Sequence, residues 1–258
     1  MFHRAYDGGA GEVAQVTGAM TALKKIAGPR TFLLVGDSKL ISYTNAAAMT
    51  AQGVGFVAPL AASRVPAGLF AALPAGAGTE VDYVAARDAG KPAAARASYR
   101  VLEDEAGMDL HGPRKTGPVV HLRRILVYSS ANAAGQAKAR AAKLAKAAAE
   151  LDKLVRTAGT RFHPTDDAVA ARVQAIAARR RAGKYLRTAI TAGPAGKPAL
   201  AWHFDQDAID AEAAADGWYA LLTNLEHGQA SPEQVFRRYK GQHAPTAGLY
   251  QWLRHRIQ

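Results

Sequence analysis

Two short apolar runs around one helical stretch constrain the fold of this chain most. Residues 31–36 form an apolar run that ends at Asp37, and residues 54–60 form a second. Residues 38–52 between them read as a helix, closed by Gly53. A strand, a helix and a strand in that order bury their apolar faces best as layers of an α/β sheet with parallel neighbours. Upstream, Val13, Val16, Met20 and Leu23 recur at helical spacing, and Gly28-Pro29 ends that helix. A helix is also expected near residues 63–72, interrupted by Pro66.

The rest of the pattern is mixed. Residues 73–97 are rich in Ala, Gly and Pro and carry little periodic signal. Residues 98–102 and 119–128 read as strands, joined by a polar connection. A long helix is predicted over 131–157, with Leu144, Leu151 and Val155 on one side and Lys138, Arg140, Lys143, Lys146, Lys153 and Arg156 decorating it. A second helix starts after Pro164, with Thr165 as N-cap and Asp166 and Asp167 in its first turn. Its apolar positions are Val169, Val173 and Ile176, and it runs out in Arg179, Arg180 and Arg181. Strands near 185–191 and 199–204 flank a turn at 193–196, and residues 218–223 read as a further strand. Ser231-Pro232-Glu233 is a helix start, with Val235, Phe236 and Tyr239 as the apolar side.

Charge is unevenly spread along the sequence. The chain has 258 residues and a formal net charge of +12. Residues 111–200 hold 18 Lys plus Arg against 4 Asp plus Glu, so one middle segment supplies the whole excess. A localised basic block is the footprint of a polyanion partner, or else the solvated face of an Ala- and Arg-rich helical region. The absence of cysteine excludes disulfides, Cys-ligated zinc, iron–sulfur clusters and a Cys nucleophile. No apolar run approaches the ~20 residues of a membrane span, and the N-terminal residues do not read as a signal peptide. These features predict a cytoplasmic, soluble, basic protein with no membrane partner.

Asp37 is the leading candidate for chemistry. A carboxylate just beyond an apolar strand stands where α/β sheets present functional groups. The same residue also suits the N-cap of the helix that follows. Asp7, with Gly8, Gly9 and Gly11 after it, reads as a turn aspartate. The glycine run lacks the spacing and the Lys of a phosphate loop. The eight histidines show no metalloprotease spacing, and no Gly-x-Ser-x-Gly elbow is present.

Four strings, in order, add a family resemblance. They are Tyr6-Asp7-Gly8-Gly9-Ala10-Gly11-Glu12; Leu33-Leu34-Val35-Gly36-Asp37-Ser38-Lys39-Leu40-Ile41-Ser42, followed by Asn45 and residues 55–60; Asp216-Gly217-Trp218-Tyr219-Ala220-Leu221-Leu222-Thr223-Asn224; and Val235-Phe236-Arg237-Arg238-Tyr239-Lys240-Gly241-Gln242-His243-Ala244-Pro245. Together the chain resembles bacterial insertion-sequence transposases of the DDE type, with their ribonuclease-H-like catalytic fold. The resemblance implies DNA transposition by two-metal phosphoryl transfer on DNA. Mg²⁺ or Mn²⁺ would be held by an Asp, Asp, Glu triad, since these hard cations prefer oxygen ligands. Asp37 matches the second Asp, as catalytic residue and metal ligand.

The expected fold is therefore α/β: a partial ribonuclease-H-like core, strand–helix–strand, interrupted by a basic insertion of mixed strands and helices. The core would span 1–97 and 205–258, and the insertion 98–204. Lys143, Lys146, Lys153, Arg156, Arg179, Arg180 and Arg181 are its expected DNA contacts. The expected partners are DNA, a further copy of the chain, or an intact transposase.

The departures from the family pattern point to an incomplete site. The family's first Asp lies on a strand before the segment that Tyr6-Asp7-Gly8 resembles, so this chain is expected to lack it together with the first two strands of the sheet. The Glu expected seven residues after Tyr239 falls on Thr246, and a later Lys falls on Leu253. Residues 246–258 could be read from another frame of the gene. The expectation is a transposase chain truncated at both ends and catalytically incomplete. The competing readings are a non-catalytic DNA-binding remnant of a mobile element and an unrelated small-molecule α/β enzyme.

Overall fold

The computed structural model describes residues 12–28, 31–114 and 117–241. The Asp7 turn and the divergent residues from Thr246 onward lie outside the described residues. After helix α1 (Glu12–Ala27) comes the expected layered segment: β1 (Leu33–Val35), α2 (Tyr43–Ala51) and β2 (Gly55–Pro59). β1 and β2 are parallel, with Val35 opposite Val57. The helix expected over 38–52 is split. Residues 38–40 form a separate 3-10 turn, and α2 begins only after Ser42, whose hydroxyl accepts from the Asn45 N–H at 3.1 Å. Two consecutive capping side chains, Asp37 and Ser42, each start their own turn.

The helix expected near 63–72 does not form. Only residues 62–64 make a 3-10 turn, and Gly68 then takes a positive φ of 76°. Pro66 and this left-handed glycine break the α hydrogen-bond ladder.

The remaining strands of this sheet are antiparallel. They are β3 (Thr79–Val81), β4 (Tyr99–His111), β5 (Val119–Ser129) and β8 (Trp218–Thr223). The order across the six-stranded sheet is β1-β2-β8-β5-β4-β3. The protein is thus mixed α/β, with parallel pairing confined to β1 and β2. β4 is far longer than the strand expected at 98–102, because it continues through a bulge between Asp104 and Met108. Gly107 is required there: its φ is 55°, and a Cβ would stand 2.6 Å from the Leu122 carbonyl oxygen.

Helix α6 (Pro232–Gly241) covers one face of this sheet. A reciprocal cap starts it, Ser231 Oγ accepting from the Gln234 N–H at 3.2 Å and Gln234 Oε1 from the Ser231 N–H at 2.9 Å. Val235 and Phe236 are fully buried against Val57, Tyr99, Val101, Ile125, Val127 and Leu221. Each such burial stabilises by roughly 1.5–3 kcal/mol.

The chain divides into two compact units, and residues 131–217 (with 70–72) form the second. The changeovers fall at 130 and 217 rather than at 97 and 204, because β4 and β5 pair within the six-stranded sheet. The second unit contains nearly all of α3 (Ser130–Thr157), then α4 (Asp166–Arg180), the hairpin β6 (Leu186–Ala192) and β7 (Pro198–Phe204), and α5 (Gln206–Ala213), a helix with no sequence expectation. Arg140, Leu144, Ala147, Leu151 and Leu154 are the buried stripe of α3, and Val169, Val173, Ile176 and Ala177 that of α4. These i, i+3, i+4 spacings put one face of each helix into a shared core with Ala182, Tyr185 and Leu200. The expected Thr165 cap is present, its hydroxyl accepting from the Ala168 N–H at 3.2 Å.

Candidate functional site

Asp37 stands two residues beyond Val35, where β1 has ended. The Gly36 N–H still reaches the Val57 carbonyl at 3.2 Å, so the approach to Asp37 is fixed by the sheet. Its carboxylate is exposed and accepts from the Lys39 N–H at 2.9 Å. The residue is therefore both a strand-end carboxylate and an N-cap, the two roles its position suggested. Among the described residues, no group of three or more His, Asp or Glu is arranged to hold a metal ion. One exposed carboxylate does not fit a two-metal centre, which needs several oxygen ligands converging on each ion.

The seven predicted DNA contacts separate into two sets. Lys143 donates to the Tyr185 hydroxyl at 3.0 Å and lies 3.9 Å from Glu212. Glu212 also accepts from the Tyr185 hydroxyl and pairs with Lys184. Burial raises the Glu212 carboxyl, but these donors and the nearby lysine charges hold it below the ordinary glutamate range. Arg179 and Arg180 both grip Glu150, Arg180 through Nε at 2.9 Å, and this holds the Glu150 carboxyl low as well. Lys143, Arg179 and Arg180 thus already hold acidic partners.

Lys146, Lys153, Arg156 and Arg181 are exposed and have no acidic partner among the described residues. Arg181 ends α4 in a left-handed conformation (φ 51°). The other three share the face of α3 opposite its buried stripe, and Lys138 lies on the same face. At 100° per residue, Lys138 and Arg156 fall at the same angle, with Lys146 and Lys153 within about a quarter turn. The exposed positions between them include Ala142, Ala145 and Ala149. This face is a row of four cations set among alanines, with the exposed Asp152 as the one acid beside them.

Acids from beyond the basic block change the electrostatics. Asp216 binds Arg140, Asp205 binds Arg187, and Glu212 serves Lys143 and Lys184. Residues 131–217 hold 14 Lys plus Arg against 9 Asp plus Glu, a net of +5. Eight of these cations, all exposed, have no acidic partner among the described residues, and four of the eight lie on the outer face of α3. Sequence spacing alone missed this pairing, because the acids stand 18 to 76 residues along the chain from the cations they hold.

The first unit offers a cleft of opposite character. It has a volume of about 480 Å³ and is lined by Glu103, Glu105, Asp109, Glu226, His121 and His227 among others. Arg123 binds both oxygens of Glu103, at 2.6 and 2.8 Å, and donates to the Leu225 and Ala230 carbonyls at 2.8 Å each. That guanidinium ties β4 and β5 to the loop before α6. The acidic lining repels phosphate, so the cleft is unsuited to a nucleic-acid backbone.

No helix among the described residues is long and apolar enough to cross a membrane. Comparison with protein-family models, with curated proteins and with solved structures gives no match for this chain.

Proposed function

We propose that this chain is a DNA-binding protein of transposase type whose described residues do not assemble the two-metal centre of that chemistry. The row of unpaired cations on α3, from Lys138 through Lys146 and Lys153 to Arg156, carries the reading. Phosphate neutralisation by such a row gives affinity without sequence readout and makes binding salt-dependent. The parallel β1–β2 pair with Asp37 just beyond β1 supports the resemblance to a ribonuclease-H-like core. Asp37 supplies one candidate ligand for Mg²⁺ or Mn²⁺, which is short of what in-line phosphoryl displacement needs.

A duplex gel-shift assay with and without Mg²⁺ or Mn²⁺ tests both halves. The expected result is a complex that dissociates as salt rises, with the DNA left uncut. Absence of any complex at low salt overturns the binding half. Cleavage abolished by Asp37→Asn overturns the incomplete-centre half.

A further inference from the structure

Phe162 is the most exposed large apolar side chain among the described residues, with 64% of its surface open to solvent. It sits in the turn between α3 and α4, and that turn is closed by its own hydrogen bonds. The Gly159 N–H donates to the His163 carbonyl at 2.9 Å, and the His163 N–H to the Thr160 carbonyl at 3.1 Å. The Thr160 hydroxyl donates to the Thr157 carbonyl at 2.6 Å and accepts from the Phe162 N–H at 3.3 Å. Gly159 takes a φ of 72° and is seated so closely that a Cβ would meet the Lys197 Cβ at 2.9 Å. A fixed turn therefore holds an aromatic ring away from the core instead of folding it in.

The surroundings of the ring are cationic. The Arg161 guanidinium lies 4.9 Å from the Phe162 ring centroid and covers one face. Arg156 ends α3 just before the turn, and Lys197 approaches Gly159 from the start of β7; all three cations are exposed. The nearby acids, Asp166 and Asp167, occupy the first turn of α4, where the helix dipole favours them.

We propose that Phe162 is a stacking platform for an unpaired nucleobase of a DNA strand, with Arg161, Arg156 and Lys197 facing the adjoining phosphates. This rests on the reading that the second unit binds DNA. Wedging between two base pairs needs both faces of a ring, and Arg161 already occupies one. A single open face suits one unpaired base, with the cations tracking its backbone.

The test uses the full chain, a blunt duplex, and the same duplex carrying a single-stranded overhang with 2-aminopurine as its first unpaired base. Wild type is expected to quench the 2-aminopurine and to favour the overhang DNA. Phe162→Ala is expected to abolish the quench and weaken overhang binding about tenfold, leaving blunt-duplex affinity unchanged. Phe162→Trp is expected to retain both quench and affinity. An intact quench and unchanged overhang affinity in Phe162→Ala overturn the platform while leaving DNA binding in place. Equal loss on blunt and overhang DNA assigns Phe162 to duplex contact and also overturns the platform. Failure of wild type to bind either DNA removes the DNA-binding reading and the platform with it.

Discussion

Arg140 on the inner face of α3 binds Asp216 through two parallel hydrogen bonds, Nη1 to Oδ1 at 2.9 Å and Nη2 to Oδ2 at 2.5 Å. The two side chains are only 8% and 12% exposed. An arginine that sequence spacing counts among surface cations is thus a buried, neutralised group, and an acid far along the chain neutralises it. Removing one partner leaves the other buried and unpaired. Asp216→Ala is expected to destabilise by roughly 3 kcal/mol. The double substitution Arg140→Leu with Asp216→Leu is expected to recover most of that loss. Urea unfolding of the single and double variants checks this, and additive losses would contradict it.

Glu103 gives the protein an acid-sensitive contact. The Arg123 guanidinium, bonded to both carboxylate oxygens, holds Glu103 below the ordinary glutamate range despite its partial burial. A lowered folded-state value means that this stabilisation is fully present above the ordinary glutamate range of about 4.3. It is lost as pH falls through the folded value. Wild type is therefore expected to lose more stability than Glu103→Gln between neutral pH and a pH below the folded value. Equal losses in urea midpoint for the two proteins would count against the contact.

Tyr219 lies on β8 with its hydroxyl oxygen buried and without a hydrogen-bond partner. Burial also pushes its ionisation upward. An unsatisfied buried hydroxyl costs about 1–3 kcal/mol, so its removal relieves a penalty instead of breaking a contact. Tyr219→Phe is expected to leave stability unchanged or raise it by about 1 kcal/mol. A clear loss on thermal unfolding would show that the hydroxyl is bonded.

What could be read from sequence follows a physical division. The buried face of α4, the Thr165 cap and the start of α6 were legible because 3.6-residue periodicity and capping chemistry are local; on α3 only Leu144 and Leu151 were, since Val155, expected beside them, is exposed and Leu154 is buried in its place. The N-cap role of Asp37 was legible for the same reason. The length of β4 was hidden by Glu103, Asp104 and Glu105, which look like a loop until Arg123 and Arg124 on β5 are seen to pair with the first two. α5 was hidden by the acids and alanines of residues 205–213, which give only a weak apolar stripe. Which cations remain free was invisible, because Glu150, Glu212 and Asp216 select their partners through the fold. Only after that selection do Lys146, Lys153 and Arg156 stand apart from Lys143, Arg179 and Arg180.

The outer face of α3 is the centre of the account. Its test is the salt dependence of duplex binding for wild type and for a variant with Lys138, Lys146, Lys153 and Arg156 all changed to Ala. Alanine preserves helix propensity, so α3 is expected to remain folded. Fluorescence anisotropy is expected to show much weaker binding and a slope of log K against log salt that is shallower by roughly 3–4. Unchanged affinity and slope in a folded variant would contradict the claim that this face holds DNA.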